Sequence, residues 1–236
     1  MMTKKKCGAI ILAAGSGTRM KQDVPKQFLT LADCPLLLHS LRVFAGEVDE
    51  MVLVTGEAYI GTCRELIRKE ALPVPISVAA GGRERYDSSI CGLKYAADWE
   101  YVMIHDAARA CVTPEVIRRS LESARQFGSG VAAVAAKDTI KRVDADGFVS
   151  ETLDRASLRI IQTPQTFRTQ DIVRAYQIME ETCADKHTVT DDAMVLETFG
   201  RMKVHLSEGS YENIKVTTPE DLLFAEAILK ARGGAQ

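Results

Sequence analysis

No Cys-x-x-Cys pair, no histidine cluster, no one-sided charge and no long apolar run occurs in this 236-residue sequence. Each absence removes a class of function. The six cysteines, Cys7, Cys34, Cys63, Cys91, Cys111 and Cys183, are scattered without zinc-finger spacing, so no structural zinc module is expected. A chain this long builds a core without bridges, and reduced, mostly buried thiols are expected. His39, His105, His187 and His205 lie far apart in the sequence, which gives little support to a zinc or histidine-base mechanism. With 30 basic against 32 acidic residues the net charge is −2. Beyond Lys4, Lys5 and Lys6 there is no basic block, which argues against a nucleic-acid binder held by its overall field. Any anionic ligand has to be gripped locally. No apolar run approaches the ~20 residues of a membrane helix, so no membrane association is expected. The lysines before Cys7 to Ala14 loosely mimic a signal peptide, but Gly15-Ser16-Gly17 and the cations Arg19, Lys21 and Lys26 follow at once. A buried first strand and a cytoplasmic protein are expected instead.

What is present is a rhythm. Short apolar runs at Ala9 to Ala14, Met51 to Thr55, Ile76 to Ala80, Tyr101 to His105, Val131 to Ala136 and Val204 to Leu206 alternate with segments of helical spacing. Those segments are Pro35 to Ala45, Glu57 to Ala71, Glu84 to Ala97, Pro114 to Phe127, Asp171 to Cys183 and Pro219 to Ala231. Continuous apolar strands between amphipathic helices mark a mostly parallel sheet covered on both faces. The fold class is therefore α/β, with residues 1–236 as one domain. Thr113-Pro114-Glu115 and Thr218-Pro219-Glu220-Asp221 read as helix starts, the latter with Asp221 answering the cap. One stretch, 137–161, alternates instead, with Asp144-Ala145-Asp146-Gly147 as a turn between Thr139 to Val143 and Phe148 to Leu153. It reads as an inserted β-hairpin arm that packs on a second copy, or as a solvated loop.

The first strand runs into Ala13-Ala14-Gly15-Ser16-Gly17-Thr18-Arg19-Met20, followed by Pro25-Lys26-Gln27. Glycines let backbone N–H groups approach an anion, and ligands of α/β sheets sit beyond the carboxyl ends of strands. No Gly-Lys-Ser/Thr follows, so this is not a P-loop, and Met20 replaces the third glycine of a dinucleotide fingerprint. The turn alone could be a tight βα connection. Arg19 and Lys26 in the same segment favour a polyphosphate clamp.

Leu12-Ala13-Ala14-Gly15-x-Gly17-x-Arg19-Met20 with Pro25-Lys26 resembles the signature loop of nucleotidyltransferases. Gly81-Gly82-x-Glu84-Arg85-x-Asp87-Ser88, His105-Asp106-Ala107-Ala108-Arg109, Asp138-Thr139-x-Lys141-Arg142, Thr163-Pro164-Gln165, Thr190-Asp191-Asp192-Ala193 and Asn213-Ile214-Lys215-Val216-Thr217 narrow this. Together, from about Ala9 to Ala227, they resemble the 2-C-methyl-D-erythritol 4-phosphate cytidylyltransferase family of the non-mevalonate isoprenoid pathway. The resemblance implies a Rossmann-like three-layer fold whose hairpin is a dimerisation arm. It implies CMP transfer from CTP to the polyol phosphate, with release of pyrophosphate and with Mg²⁺ as cofactor. Arg19, Lys26, Arg155 and Lys215 would carry catalysis. Ala13, Ala14, Gly15, Gly17, Gly82, Ser88, Asp106 and Ala107 would bind the nucleotide. Asp106, Arg155, Thr163, Thr190 and Lys215 would bind the acceptor, and Asp106 the metal. Arg155 would reach from one subunit's arm into its neighbour's site.

Taken singly, several of these residues have plainer roles. Asp106 could be a turn residue or helix cap, Ser88 a helix N-terminal serine, and Gly81-Gly82 a simple turn. Arg83 and Arg85 read as surface or ion-paired groups, and Arg155 as a surface cation on an arm. Ala110 stands where the family usually carries proline. A ribitol 5-phosphate cytidylyltransferase resembles the same loops, and a non-catalytic nucleotide-binding regulator would use the same glycine turn.

Overall fold

In the computed structural model, which describes residues 6–15 and 25–233, the elements follow the expected alternation. They run β1 (Lys6–Ala13), β2 (Thr30–Leu31), β3 (Cys34–Pro35), α1 (Leu36–Ala45), β4 (Glu50–Thr55), α2 (Ile60–Glu70), β5 (Ile76–Ala80), α3 (Arg85–Leu93) and β6 (Trp99–Asp106). Then come α4 (Pro114–Phe127), β7 (Ser129–Ala135), β8 (Lys141–Val143), β9 (Val149–Thr152), β10 (Arg159–Arg168), α5 (Thr169–Thr182), α6 (Asp192–Thr198), β11 (Leu206–Glu208) and α7 (Pro219–Gly233).

One seven-stranded sheet, in the order β11-β7-β10-β6-β1-β4-β5, forms the middle layer. β1 pairs in parallel with β4 and β6, and β4 with β5, so Ile10 stands between Val52 and Ile104. These strands are apolar on both faces because both are covered. Ile11, Leu53 and Met103 face a core with Leu41 and Phe44 of α1 and Ile117 of α4. The alternate residues Ile10, Val52 and Ile104 pack with Tyr176 of α5 and Leu196 of α6. A small third cluster seats Ala225 of α7 against Leu31, Ala110 and Val216. The expected cap of α7 is present: Asp221 Oδ2 accepts from the backbone N–H groups of Thr217 and Thr218, both at 2.8 Å. Among the described residues no helix is long and apolar enough to cross a membrane.

The hairpin turn is also as expected, with Gly147 at φ +87° and Asp144 Oδ1 accepting from the N–H groups of Asp146 and Phe148. β8 and β9 form a two-stranded sheet of their own. The expected arm extended to Ile161, but residues 159–161 already belong to β10 and pair with β7. β10 itself has no counterpart in the apolar pattern, and it lies antiparallel between β6 and β7. Its middle is polar yet buried, which is tolerated because each group is satisfied. Gln162 bonds both ways to the backbone of Ser210 at 2.8 and 3.2 Å. Gln165 donates to Asp191 and accepts from the Ala193 N–H, both at 2.9 Å. Pro164, which has no N–H to give, falls where the β7 register is interrupted.

Candidate active site

β1, β5 and β6 deliver their carboxyl ends to one cleft, where ligands of open α/β sheets bind. Ala13, Ala14 and Gly15 leave β1, Gly82 follows β5, Ser88 comes from α3, and Asp106 and Ala107 leave β6; all line this cleft together with Lys26. The β5–α3 loop packs so closely that a Cβ on Gly81 would lie 2.6 Å from Ala14 Cβ and 2.7 Å from Ser88 Oγ. Gly81-Gly82 is therefore more than a turn, because a side chain at 81 would displace the wall of the cleft. Ser88 does not cap its helix. Glu84 and Asp87 form the capping box of α3, and the buried Ser88 hydroxyl donates to Glu84 O at 3.3 Å.

Asp106 closes the floor of the cleft and has a cation at each oxygen. Arg85 Nε donates to Oδ1 at 3.1 Å, and Lys215 Nζ lies 2.6 Å from Oδ2. Burial works to raise the Asp106 carboxyl, but the charges of Arg85 and Lys215 outweigh it and hold it below the usual carboxylate range. Asp106 is thus ionised. Arg85 is ion-paired rather than a surface group. Its Nη1 also reaches Asp192 Oδ2 at 2.7 Å, with Asp192 fully buried. Lys215 is placed by its loop: Asn213 Nδ2 donates to Thr163 O at 2.9 Å, and Val216 N donates to Ala108 O at 2.8 Å. A second cavity adjoins the first and shares Arg85, Asp106 and Lys215 with it; Arg109, Thr163 and Thr190 line its far side.

A buried chain of hydrogen bonds supports Asp106 from behind. The Asp106 N–H donates to Thr163 Oγ1 at 3.1 Å, and Thr163 Oγ1 lies 3.0 Å from His105 Nδ1. On the other side of the ring, His105 Nε2 lies 3.5 Å from Ser40 Oγ. With the proton on Nε2 every member finds a partner, and the ring stays neutral. Burial pushes His105 down to about 3 from its ordinary 6.5, so it is no general base at neutral pH. Between those values the unfolded chain binds one proton more than the folded one, so stability rises with pH there and is lost as pH falls below 6.5. Chemical denaturation from pH 7 to 4 is expected to show this loss at up to about 1.4 kcal/mol per pH unit, and a His105→Gln variant should show a shallower slope.

The sequence as a whole agrees with this geometry. The family model of 2-C-methyl-D-erythritol 4-phosphate cytidylyltransferase matches residues 7–231. The chain belongs to that family. A cytidylyltransferase of this kind from Lachnospira eligens is 43% identical over 94% of this chain and 98% of its own. Another, from Geobacillus thermodenitrificans, is 43% identical over 95% of this chain and 97% of its own. The crystal structure of 4-diphosphocytidyl-2C-methyl-D-erythritol synthase from Anaerococcus prevotii superposes with a TM-score of 0.82 at 32% identity, covering 96% of this chain and 99% of that one.

Of the residues expected at the site, Gly17 and Arg19 lie outside the described residues. Lys26 opens a short 3-10 turn and donates from Nζ to Val216 O at 3.1 Å, next to Lys215 in the chain. Thr163 is buried with its hydroxyl engaged by Asp106 and His105, whereas Thr190 is exposed at the second cavity. Arg155 lines neither cavity of its own chain; it donates to Lys137 O at the base of the arm. Sequence reasoning gave no role to Arg109, which lines the second cavity and donates to Asn213 O at 2.8 Å and Ile161 O at 3.3 Å. It also left Asp192 and Tyr176 unassigned, since only folding brings them to Arg85.

The thiols are free, and four of them are held in the unreactive protonated form: burial pushes Cys7 up to about 12, Cys34 and Cys111 up to about 11, and Cys63 upward as well. The scattered sequence positions did not anticipate that Cys34 and His39 meet, at 3.3 Å. Together with Asp33 they bring three ligand-type atoms within 4.8 Å of one another. A cation already occupies that corner, because Arg42 donates to Cys34 Sγ at 3.3 Å and lies 3.7 Å from Asp33.

Proposed function

We propose that this chain transfers the cytidylyl group of CTP to 2-C-methyl-D-erythritol 4-phosphate, giving 4-diphosphocytidyl-2-C-methyl-D-erythritol and pyrophosphate, as a Mg²⁺-dependent cytoplasmic homodimer. The observation that carries this reading is the position of Lys215 and Arg85 on Asp106, in the wall between two adjoining cavities. One cavity begins at Ala13, Ala14 and Gly15 and suits the nucleotide. The other, by Thr190 and Arg109, suits a polyol phosphate.

In this reading an oxygen of the acceptor phosphate forms a bond to the α-phosphorus of CTP while the bond from that phosphorus to the bridging oxygen breaks. A phosphate monoester has its second pKa near ~6, so the nucleophile is ionised at pH 7 and needs no base. The neutral, buried His105 agrees with that. The cost lies in bringing two anions together, which calls for fixed cations and in-line placement. Lys26, with Arg19 from the same segment, would face the triphosphate, and Lys215 would face both phosphates. Gly82 and Ser88 would border the base, and Ala13, Ala14, Gly15, Gly17 and Ala107 the rest of the nucleotide.

The donor set fits Mg²⁺. One ionised carboxylate stands at the cleft floor, and Mg²⁺ takes one or two carboxylates while phosphate oxygens and water complete its shell. Asp106 would hold it, since each carboxylate oxygen has a second lone pair beyond the one its cation uses. Bound there, the ion neutralises phosphate charge. Dimerisation is supported by the arm, where Val143, Phe148 and Val149 are 56, 73 and 58% exposed. So much apolar surface on a short hairpin calls for a partner.

Pyrophosphate release from CTP across a small acceptor panel tests the reading. Turnover is expected with 2-C-methyl-D-erythritol 4-phosphate, stopped by EDTA and restored by Mg²⁺. Preference for ribitol 5-phosphate would move the chain to the other acceptor class. CTP binding without any release would make it a regulator, and metal-free turnover would remove Asp106 from its assigned role.

A further inference from the structure

The transfer reading uses Lys215 but leaves the Arg85–Asp192 pair without a task. Asp192 opens α6 and is fully buried. Tyr176 of α5 donates to its Oδ1 at 2.5 Å, and Arg85 Nη1 lies 2.7 Å from its Oδ2. From the first turn of α3 the same guanidinium sends Nε to Asp106. Arg85 is therefore held at both ends, by a carboxylate from α6 and one from β6. Lys215 differs: its side chain is 39% exposed, and among the described residues its one ion-pair partner is Asp106.

We propose that Arg85, locked by Asp192, is a positioning residue that lets Lys215 leave Asp106 for a phosphate without stranding the carboxylate. This rests on the transfer reading, in which Lys215 has to reach phosphate oxygens. A buried carboxylate that loses its only counter-ion is strongly disfavoured. With Lys215 as its sole ion-pair partner, and Arg109 acting only from farther off, Asp106 would keep the lysine until Mg²⁺ reached the carboxylate. A second cation solves this only if it stays in place, and an unlocked arginine would itself fork onto the incoming phosphates. Asp192 prevents that. The task needs one cation that reaches two carboxylates at once, a span that the single ammonium of a lysine at position 85 does not supply.

The test compares Arg85→Gln, Asp192→Asn, the double variant and Arg85→Lys, each with Lys215 intact and in a Lys215→Ala background. Thermal midpoints and calorimetric binding of CTP in the presence of Mg²⁺ are the readouts. Arg85→Gln should lower the midpoint by leaving the buried Asp192 without a cation, Asp192→Asn should lower it less because Arg85 keeps Asp106, and the double variant should recover most of the Arg85→Gln loss. With Lys215 intact, the dissociation constant for CTP should rise about tenfold in Arg85→Gln, in Arg85→Lys and in the double variant. In the Lys215→Ala background the same changes should cost less than about threefold, because no lysine remains to be released. Equal losses in both backgrounds, affinity that recovers with the midpoint in the double variant, or wild-type affinity in Arg85→Lys would each overturn the proposal. A wild type that binds CTP but releases no pyrophosphate would overturn the transfer reading and leave this cycle decisive; one that binds no CTP overturns both.

Discussion

Replacing Lys26 by Ala is expected to lower kcat by ~10²–10³-fold, the loss typical of one preorganised donor to developing charge, while the fold survives. Lys26 follows Pro25, whose ring fixes the entry to the 3-10 turn at φ −56°. Its ammonium is aimed back into the cleft, where it meets Val216 O at 3.1 Å. That contact ties the segment bearing Lys26 to the loop bearing Lys215, so both cations line one cleft. The tether is a hydrogen bond from a charged ammonium to one carbonyl at a part-buried site, and its loss alone should cost about 1.5–3 kcal/mol of stability. Steady-state kinetics with CTP and the acceptor, alongside a thermal melt, check both halves. A folded variant within a few-fold of wild type would take Lys26 out of the charge-stabilising role.

The strands and the cleft were legible in the sequence for one reason. Strands buried on both faces have to be written as continuous apolar runs, and their carboxyl ends then mark where ligands go. Thus Ile10, Val52 and Ile104 announced strands, and Ala14, Gly15 and Asp106 announced the cleft. β10 escaped because its buried middle, Gln162 to Thr166, satisfies its polar groups by contacts with Ser120, Ser210 and Ala193 that no local pattern encodes. The short α6 escaped too, although Asp191 caps it by accepting from the Met194 N–H at 2.9 Å. The charge lock of Arg85 was hidden for the same reason as β10. In the sequence Arg85 reads as a surface or ion-paired cation at a helix start, and only the packing of α3 against α5 and α6 makes it a buried bridge between Asp106 and Asp192. The resemblance identified Lys215 and Asp106 as site residues, but their direct pairing is a property of the folded chain.

Charge reversal at Arg155 should act on a site in another subunit, and its expected signature is rescue rather than mere loss. In its own chain Arg155 stands just beyond β9, in a 3-10 turn capped by Asp154, and lines neither cavity. Arg155→Glu is expected to raise the KM for the polyol phosphate by ~10–100-fold, because a charge-assisted contact to phosphate becomes a repulsion. The KM for CTP should change far less. If the arm works in trans, a dimer of one Arg155→Glu chain and one Lys26→Ala chain has one site with both lesions and one with neither. Random pairing makes half of the dimers mixed, so co-expressing the two variants at equal levels should restore about a quarter of wild-type sites. Differently tagged subunits, purified in tandem, isolate the mixed dimer and raise the expected recovery to about half. Activity that stays at the level of the two variants alone, in a preparation proven to be mixed, would mean that each arm serves its own chain. The exposed apolar residues of β8 and β9 would then need another partner.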